Sequence, residues 1–247
     1  MKQSNNVMGV TAGYLKKLHL FELLDYLGKL AILVALVTFF KEAGTRQKLA
    51  NYQAWQVVNM ASEKETDGGR MTALQDLVSA KQSLAGLDVK GAFLPGIKLM
   101  KATLTKANLS DTDLRDSNLS HANLLSADFS GTDLSGADLS NADMTNTNIT
   151  DARLIRATLS DANLASSQLD NSILTEAILS GANLLEASLS NTRLDGADLA
   201  GANLLAANLE NATLRGANLK DANLKGANYT NVSFGEALLC NTTMPIG

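Results

Sequence analysis

The chain has one cysteine, two histidines, two prolines and one tryptophan in 247 residues, and aromatic side chains make up only 4% of it. A single cysteine, Cys240, excludes an intramolecular disulfide and a thiolate metal cluster. Neither His19 nor His121 has a second His or a Cys at helical spacing, so both read as ordinary helix or surface residues. Few aromatics leave little to stack on bases. The balance of 25 Asp and Glu against 21 Lys and Arg also opposes the basic stripe that nucleic acids require. No Gly-rich phosphate loop, nucleophile elbow or zinc signature occurs. These absences lead to the expectation of no catalytic residue, no metal, no cofactor and no direct nucleic-acid contact.

What is present is a period of five. From residue 94 to residue 239 a large apolar residue, called position i, recurs every fifth residue without insertion or deletion, giving thirty units. Leu fills twenty-five of them, with Phe129, Met144, Ile149, Tyr229 and Phe234 in the rest. Position i−2 is small: Ala in twenty-one units and Ser or Thr in seven, with Ile97 and Val232 the exceptions. Five residues per repeat drift around an α-helix, and in a flat strand they alternate between faces. A short extended piece places i−2 and i on one side, and a bend must follow. Gly and Asn at i+2 (Gly131, Gly136, Asn191, Asn211) tolerate such bends. A chain that bends this way repeatedly and buries one column is a stacked coil.

The units Ala127-Asp128-Phe129-Ser130-Gly131 and Ala137-Asp138-Leu139-Ser140-Asn141 resemble the tandem motif of the pentapeptide-repeat family over about three-fifths of the chain. That resemblance implies an all-β solenoid, a right-handed quadrilateral β-helix with four units per coil. Thirty units then make about seven and a half coils, roughly 36 Å long at a strand spacing of ~4.8 Å.

With twenty residues per coil, side chains twenty apart form columns. Two columns at i−1 are rich in Asn: Thr103, Asn123, Asp143, Asn163, Asn183, Asn203 and Asn223, then Asn108, Asp128, Asn148, Gln168, Ser188, Asn208 and Asn228. They read as hydrogen-bonded ladders serving the shaft. A third carries Asp113, Asp133, Arg153 and Arg193, flanked by Arg115, Asp195, Arg215, Arg156 and Glu176; the fourth has serines in line. Ile155, Ile173 and Ile178 break the pattern by placing apolar groups at outward positions around one corner. Leu125, Leu185 and Leu205 do so on another face. Beside Arg153 and Arg193 the isoleucines are candidates for a docking patch, against the plainer reading of scattered surface residues.

Residues 1–90 carry eleven Lys and Arg against eight Asp and Glu, whereas residues 91–247 carry ten against seventeen. Residues 18–40 are dominated by Leu, Ile, Val, Phe and Ala; as a helix they span ~35 Å, enough for a bilayer core of ~30 Å. Glu22, Asp25 and Lys29 interrupt the first half on one helical stripe. A spanning helix with that stripe toward a partner, an interfacial helix and a buried hairpin all fit. The division expected is a helical region at 1–82 and the repeat β-helix at 83–247. The first contains an apolar helix at about 14–40, a polar helix at about 42–62 and a helix at about 70–80 covering the first coil. Membrane-tethered members of the same family look similar, and that likeness implies a bacterial inner membrane with the rod in the cytoplasm.

The leading expectation is a non-enzymatic scaffold or interaction rod, membrane-tethered, with an accessory subunit of a membrane complex as one form of it. Its candidate partner-binding residues are Glu22, Asp25, Lys29, Arg153, Ile155, Ile173, Ile178 and Arg193. The alternative, implied by acidic quinolone-resistance relatives, is a DNA-mimicking modulator of a type II topoisomerase (gyrase). Its weakness is that the acids are shared among four faces. Partner identity stays open, as does self-association through the N-terminal helix or the bare C-terminal coil.

Overall fold

A computed structural model describes residues 4–60 and 68–244, with side chains from residue 22 onward. The turn residues Thr66 and Asp67, the His19 side chain and the last three residues lie outside the described residues. The chain divides into two units, residues 1–52 and 53–247.

Helix α1 runs Ser4–Met60 as one element of 57 residues, starting ten residues before the sequence signal suggests and joining the apolar and polar segments without a break. The reason is local. Both prolines, Pro95 and Pro245, lie elsewhere, and Gly9, Gly13, Gly28 and Gly44 are isolated. An isolated Gly costs a helix about 1 kcal/mol without ending it. Leu23, Leu24, Leu27, Leu30, Ile32, Leu33, Val34, Leu36, Val37, Phe39 and Phe40 are all exposed, on every side of the helix.

The second unit begins with the last two turns of α1 and helix α2 (Arg70–Ser79). Leu74 and Leu77 of α2 have no exposed surface and share one cluster with Val58, Leu84 and the shaft interior. Ala54 and Trp55 pack against that cluster. Arg70 donates from Nε to the Val58 carbonyl at 3.3 Å, which ties the two helices.

From Leu84 the backbone is a right-handed quadrilateral β-helix. Parallel bridges join residues twenty apart, from Asp88↔Asn108 to Asn223↔Thr243, four to a coil. Each unit repeats the same bonds: Leu94 N–H donates to Asp113 O at 2.9 Å, Gly96 N–H to Arg115 O at 2.7 Å, and Ile97 N–H back to Leu94 O at 3.3 Å. The last bond closes a four-residue turn whose third residue, at i+2, has positive φ (Gly131 68°, Asn191 59°), as a type II turn requires. Asn and Asp at i−1 have a second use. Asp133 Oδ1 accepts from Ser135 N–H at 3.0 Å and Ser135 Oγ at 2.6 Å, pinning the bend from inside the unit.

The i column is fully buried from Leu94 to Leu224, with Phe129 its largest member. Two further units, those of Leu84 and Val89, precede the thirty, with Gln82 and Leu87 standing where a small residue is usual. At the far end the same column opens: Tyr229, Leu239 and Met244 are 41%, 42% and 36% exposed.

Candidate partner-binding surfaces

The turn geometry turns i−1 and i+1 outward on each face, so the columns can be read directly. Along one amide column Asn183 donates to Asn163 at 2.9 Å, Asn203 to Asn183 at 3.0 Å and Asn223 to Asn203 at 3.3 Å. The second column is interrupted. Asn148 reaches Asp128 and Asn228 reaches Asn208, but Ser188 turns aside to Asp170 at 2.6 Å. An amide can both donate and accept along a ladder, whereas the Ser188 hydroxyl is spent on the Asp170 carboxylate of the coil below.

Charges on the mixed column neutralise one another locally. Arg115 pairs with Asp113 at 2.5 Å, Arg153 with Asp133 at 3.7 Å, and Arg156 with Glu176 at 2.7 Å from the neighbouring corner. The Arg115 hydrogen bond holds the Asp113 carboxyl below its ordinary 3.8, against an opposing push from partial burial. A depressed carboxylate pKa stabilises the fold above the unfolded value, and that contribution is lost as pH falls through the folded value. Arg115→Ala should therefore raise the Asp113 pKa toward its ordinary value, read by NMR titration of the carboxyl carbon. Stability at neutral pH should fall only slightly, because the pair is solvent-screened.

Five candidates meet at one corner. Ile173 sits between Arg153 below and Arg193 above through successive bridges, and Ile178, on the adjoining face, lies between Thr158 and Asp198. Ile155 occupies the corner one coil beneath. Ile155 and Ile173 are half-buried, while Ile178 is 40% exposed. Arg193 is exposed and has no ion pair among the described residues, leaving one free cation beside the isoleucines. Leu125, Leu185 and Leu205 are half-buried along a different corner.

Glu22, Asp25 and Lys29 belong to the other unit. All three are exposed on α1, and Lys29 Nζ donates to Asp25 Oδ2 at 2.6 Å. The pair cancels two charges within the apolar helix, at the i,i+4 spacing that favours it.

One surface escaped attention in the sequence because the net charge of whole segments hides it. Residues 81–106 carry five Lys against one Asp, whereas residues 107–247 carry seven Lys and Arg against seventeen Asp and Glu. A cleft of about 420 Å³ opens there, between the end of α2 and the first coil. The acids beyond it are spread over all four faces: Asp128, Asp133, Asp138 and Asp143 occupy consecutive units and hence successive sides. Among the described residues no group of three or more His, Cys, Asp or Glu could hold a metal ion.

The chain is similar to several solved structures. HetL, a pentapeptide repeat protein involved in heterocyst differentiation regulation in the cyanobacterium Nostoc sp. strain PCC 7120, is 34% identical over 66% of this chain and 84% of its own, with a TM-score of 0.41. Rfr23 from the cyanobacterium Cyanothece 51142 is 45% identical over 37% of this chain and 63% of its own, with a TM-score of 0.37. QnrB1, a plasmid-mediated fluoroquinolone resistance protein, is 21% identical over 65% and 84%, with a TM-score of 0.37. No curated protein matches the chain in sequence. The family model for pentapeptide repeats matches eight copies in overlapping stretches from residue 83 to residue 244. With its coil, its corner turns and its Leu column accounted for by that repeat, the chain belongs to the pentapeptide-repeat family.

Proposed function

We infer that the protein is a non-enzymatic scaffold, tethered to a membrane by α1 and presenting the shaft to a protein partner. The observation that carries this reading is the apolar surface of α1. The segment Glu22–Met60 has the length and hydropathy of a membrane span, and its most apolar window is 0% buried. A helix that is apolar all round needs either a protein core or lipid around it, and among the described residues no core covers this one. The Asp25–Lys29 pair lowers the cost of placing those charges at the membrane, and Glu22 on the same stripe offers a contact to a neighbouring helix. On the shaft, Arg153, Ile155, Ile173, Ile178 and Arg193 form the docking corner. An accessory subunit of a complex in a bacterial inner membrane, with the shaft on the cytoplasmic side, has this arrangement. The spread of acids over four faces favours it over a mimic of a phosphate backbone, which needs a continuous charged path.

The test is fractionation of the full-length chain expressed in cells. It should pellet with membranes, stay there through a high-salt wash and an alkaline carbonate wash, and leave only with detergent. Recovery as a soluble monomer without detergent overturns the tether.

A further inference from the structure

The acids that share a corner with Arg193 are engaged elsewhere. Asp195 accepts from Thr213 Oγ1 and from the Arg215 N–H, both at 3.0 Å, so its two oxygens are held by the coil above. Asp198 accepts from Asn218 Nδ2 at 2.8 Å and from the Ala200 N–H at 3.1 Å. Glu176, on the coil below, pairs with Arg156 at 2.7 Å. Arg193 is left with no ion pair among the described residues, and Arg153, two coils beneath it, has the Asp133 carboxylate only at 3.7 Å. Between them stands Ile173, held in line by the bridges Arg153↔Ile173 and Ile173↔Arg193. One side of the shaft thus presents cation, aliphatic and cation in vertical register.

The interval decides what can read such a column. Successive coils are ~4.8 Å apart, so the three residues stand at about 0, 4.8 and 9.6 Å along the shaft. A strand laid along the shaft spaces the side chains of one face by ~6.7 Å, and its third overshoots by about 4 Å. An α-helix rises about 1.5 Å per residue, so positions i, i+3 and i+7 fall at about 0, 4.5 and 10.5 Å, each within about 1 Å of its mark. These are the spacings at which an amphipathic helix presents anchors to a surface. The complement of the column is therefore acid, apolar and acid at those positions. A helix about 10 Å across also covers Ile155 and reaches the corner beyond which Ile178 is exposed. The chain's own helices lack the pattern. The acids of α1 are Glu22, Asp25 and Glu42 and that of α2 is Asp76, and no two of them are seven apart.

We propose that this side of the shaft binds an amphipathic helix of a different protein, laid along the shaft axis with an acid on Arg153, an acid on Arg193 and an aliphatic side chain on Ile173. The inference rests on the docking corner proposed above, and it adds the secondary structure, the axis and the charge of what docks there. On binding, Arg193 gains the carboxylate that its own acids withhold. The aliphatic contact at Ile173 excludes water from the ion pairs on either side of it, and a charge pair shielded from water is stronger than an exposed one.

The experiment is photo-cross-linking of the full-length chain in its native cells, with mass-spectrometric mapping of the residue captured. The photoreactive amino acid p-benzoylphenylalanine replaces Ile173, Ile155 or, as a control, Leu205, which lies two units and hence two sides away from the unit of Arg193. Ile155 is the second site in case the bulkier group disturbs the shaft at Ile173. The captured residue should lie in a helix of one partner protein, with Asp or Glu three or four residues away on each side. Arg193→Glu should lower the yield about tenfold or more, and changing the matching partner acid to Lys should restore it. Capture above the Leu205 level that maps to a strand, to a loop or to a helix without those acids leaves the docking corner standing and overturns the helix. Capture of a second copy of this chain overturns the different partner. A yield at both isoleucine sites no higher than at Leu205 overturns the docking corner and the helix with it.

Discussion

Replacing Leu33 and Val37 together with arginine should move the protein from the membrane pellet to the soluble or aggregated fraction. Both side chains are exposed on α1, 58% and 59% respectively, and both lie in its uninterrupted apolar half. An arginine near the middle of a spanning helix costs about 2.5–3.5 kcal/mol on insertion scales. Two cost roughly 5–7 kcal/mol, more than a thousandfold in partitioning. Swapping Asp25 and Lys29 is the informative control, since it preserves the charges and their i,i+4 separation while reversing the pair, and it should leave the protein in the pellet. Carbonate-washed membranes and an immunoblot suffice to read the result. A double arginine variant that stays in the membrane would assign the attachment to some other part of the chain.

The second large effect comes from two adjacent residues. Leu179 is fully buried in the shaft, and Ile178 beside it is 40% exposed. Leu179→Asp places a carboxylate in a Leu and Ala interior with no partner for it, at a cost of several kcal/mol. It should abolish the cooperative thermal transition or shift it below working temperature. Leu179→Ala, which only removes volume, should cost about 2–5 kcal/mol. Ile178→Asp should change the melting temperature by no more than a few degrees. If the corner with Arg193 is the docking surface, the same change should release whatever co-purifies in fixed proportion with the native protein. A destabilised Ile178→Asp shaft would show that this residue serves packing instead of recognition.

These neighbours also show why the fold was legible in sequence and the binding surface only partly so. Position i must fill a narrow interior, so its chemistry is confined to large apolar groups, and thirty confined positions leave little doubt about the coil. Position i−1 next to it is constrained only where it must accept from the i+1 backbone, as Asp133 does from Ser135. Ile178 is free of that duty, and the docking role proposed for it would depend on a partner that the sequence does not contain. The columns could be drawn once the twenty-residue coil was assumed. The interruption of the second ladder at Ser188 could not, because it depends on which acceptor lies within reach. The lysines of the first coil are hidden for a different reason: the net charge of whole segments averages five Lys and one Asp over residues 81–106 with the acids beyond them. The sequence pattern divides α1 into two segments because its polarity changes near residue 41, although nothing in its backbone chemistry does.

The strict vertical register of the coils turns the shaft into a ruler. Every twenty residues advance it by one graduation of about 4.8 Å, and parallel bridges keep the marks aligned on each side. Arg153 and Arg193 stand two graduations apart, ~9.6 Å, with Ile173 at the mark between them. A partner that reads all three must carry its own groups at that interval. Insertion of one whole coil elsewhere in the shaft would lengthen the ruler without disturbing the reading, whereas insertion of a single unit below Arg193 and above Ile173 would rotate the upper mark onto a different side.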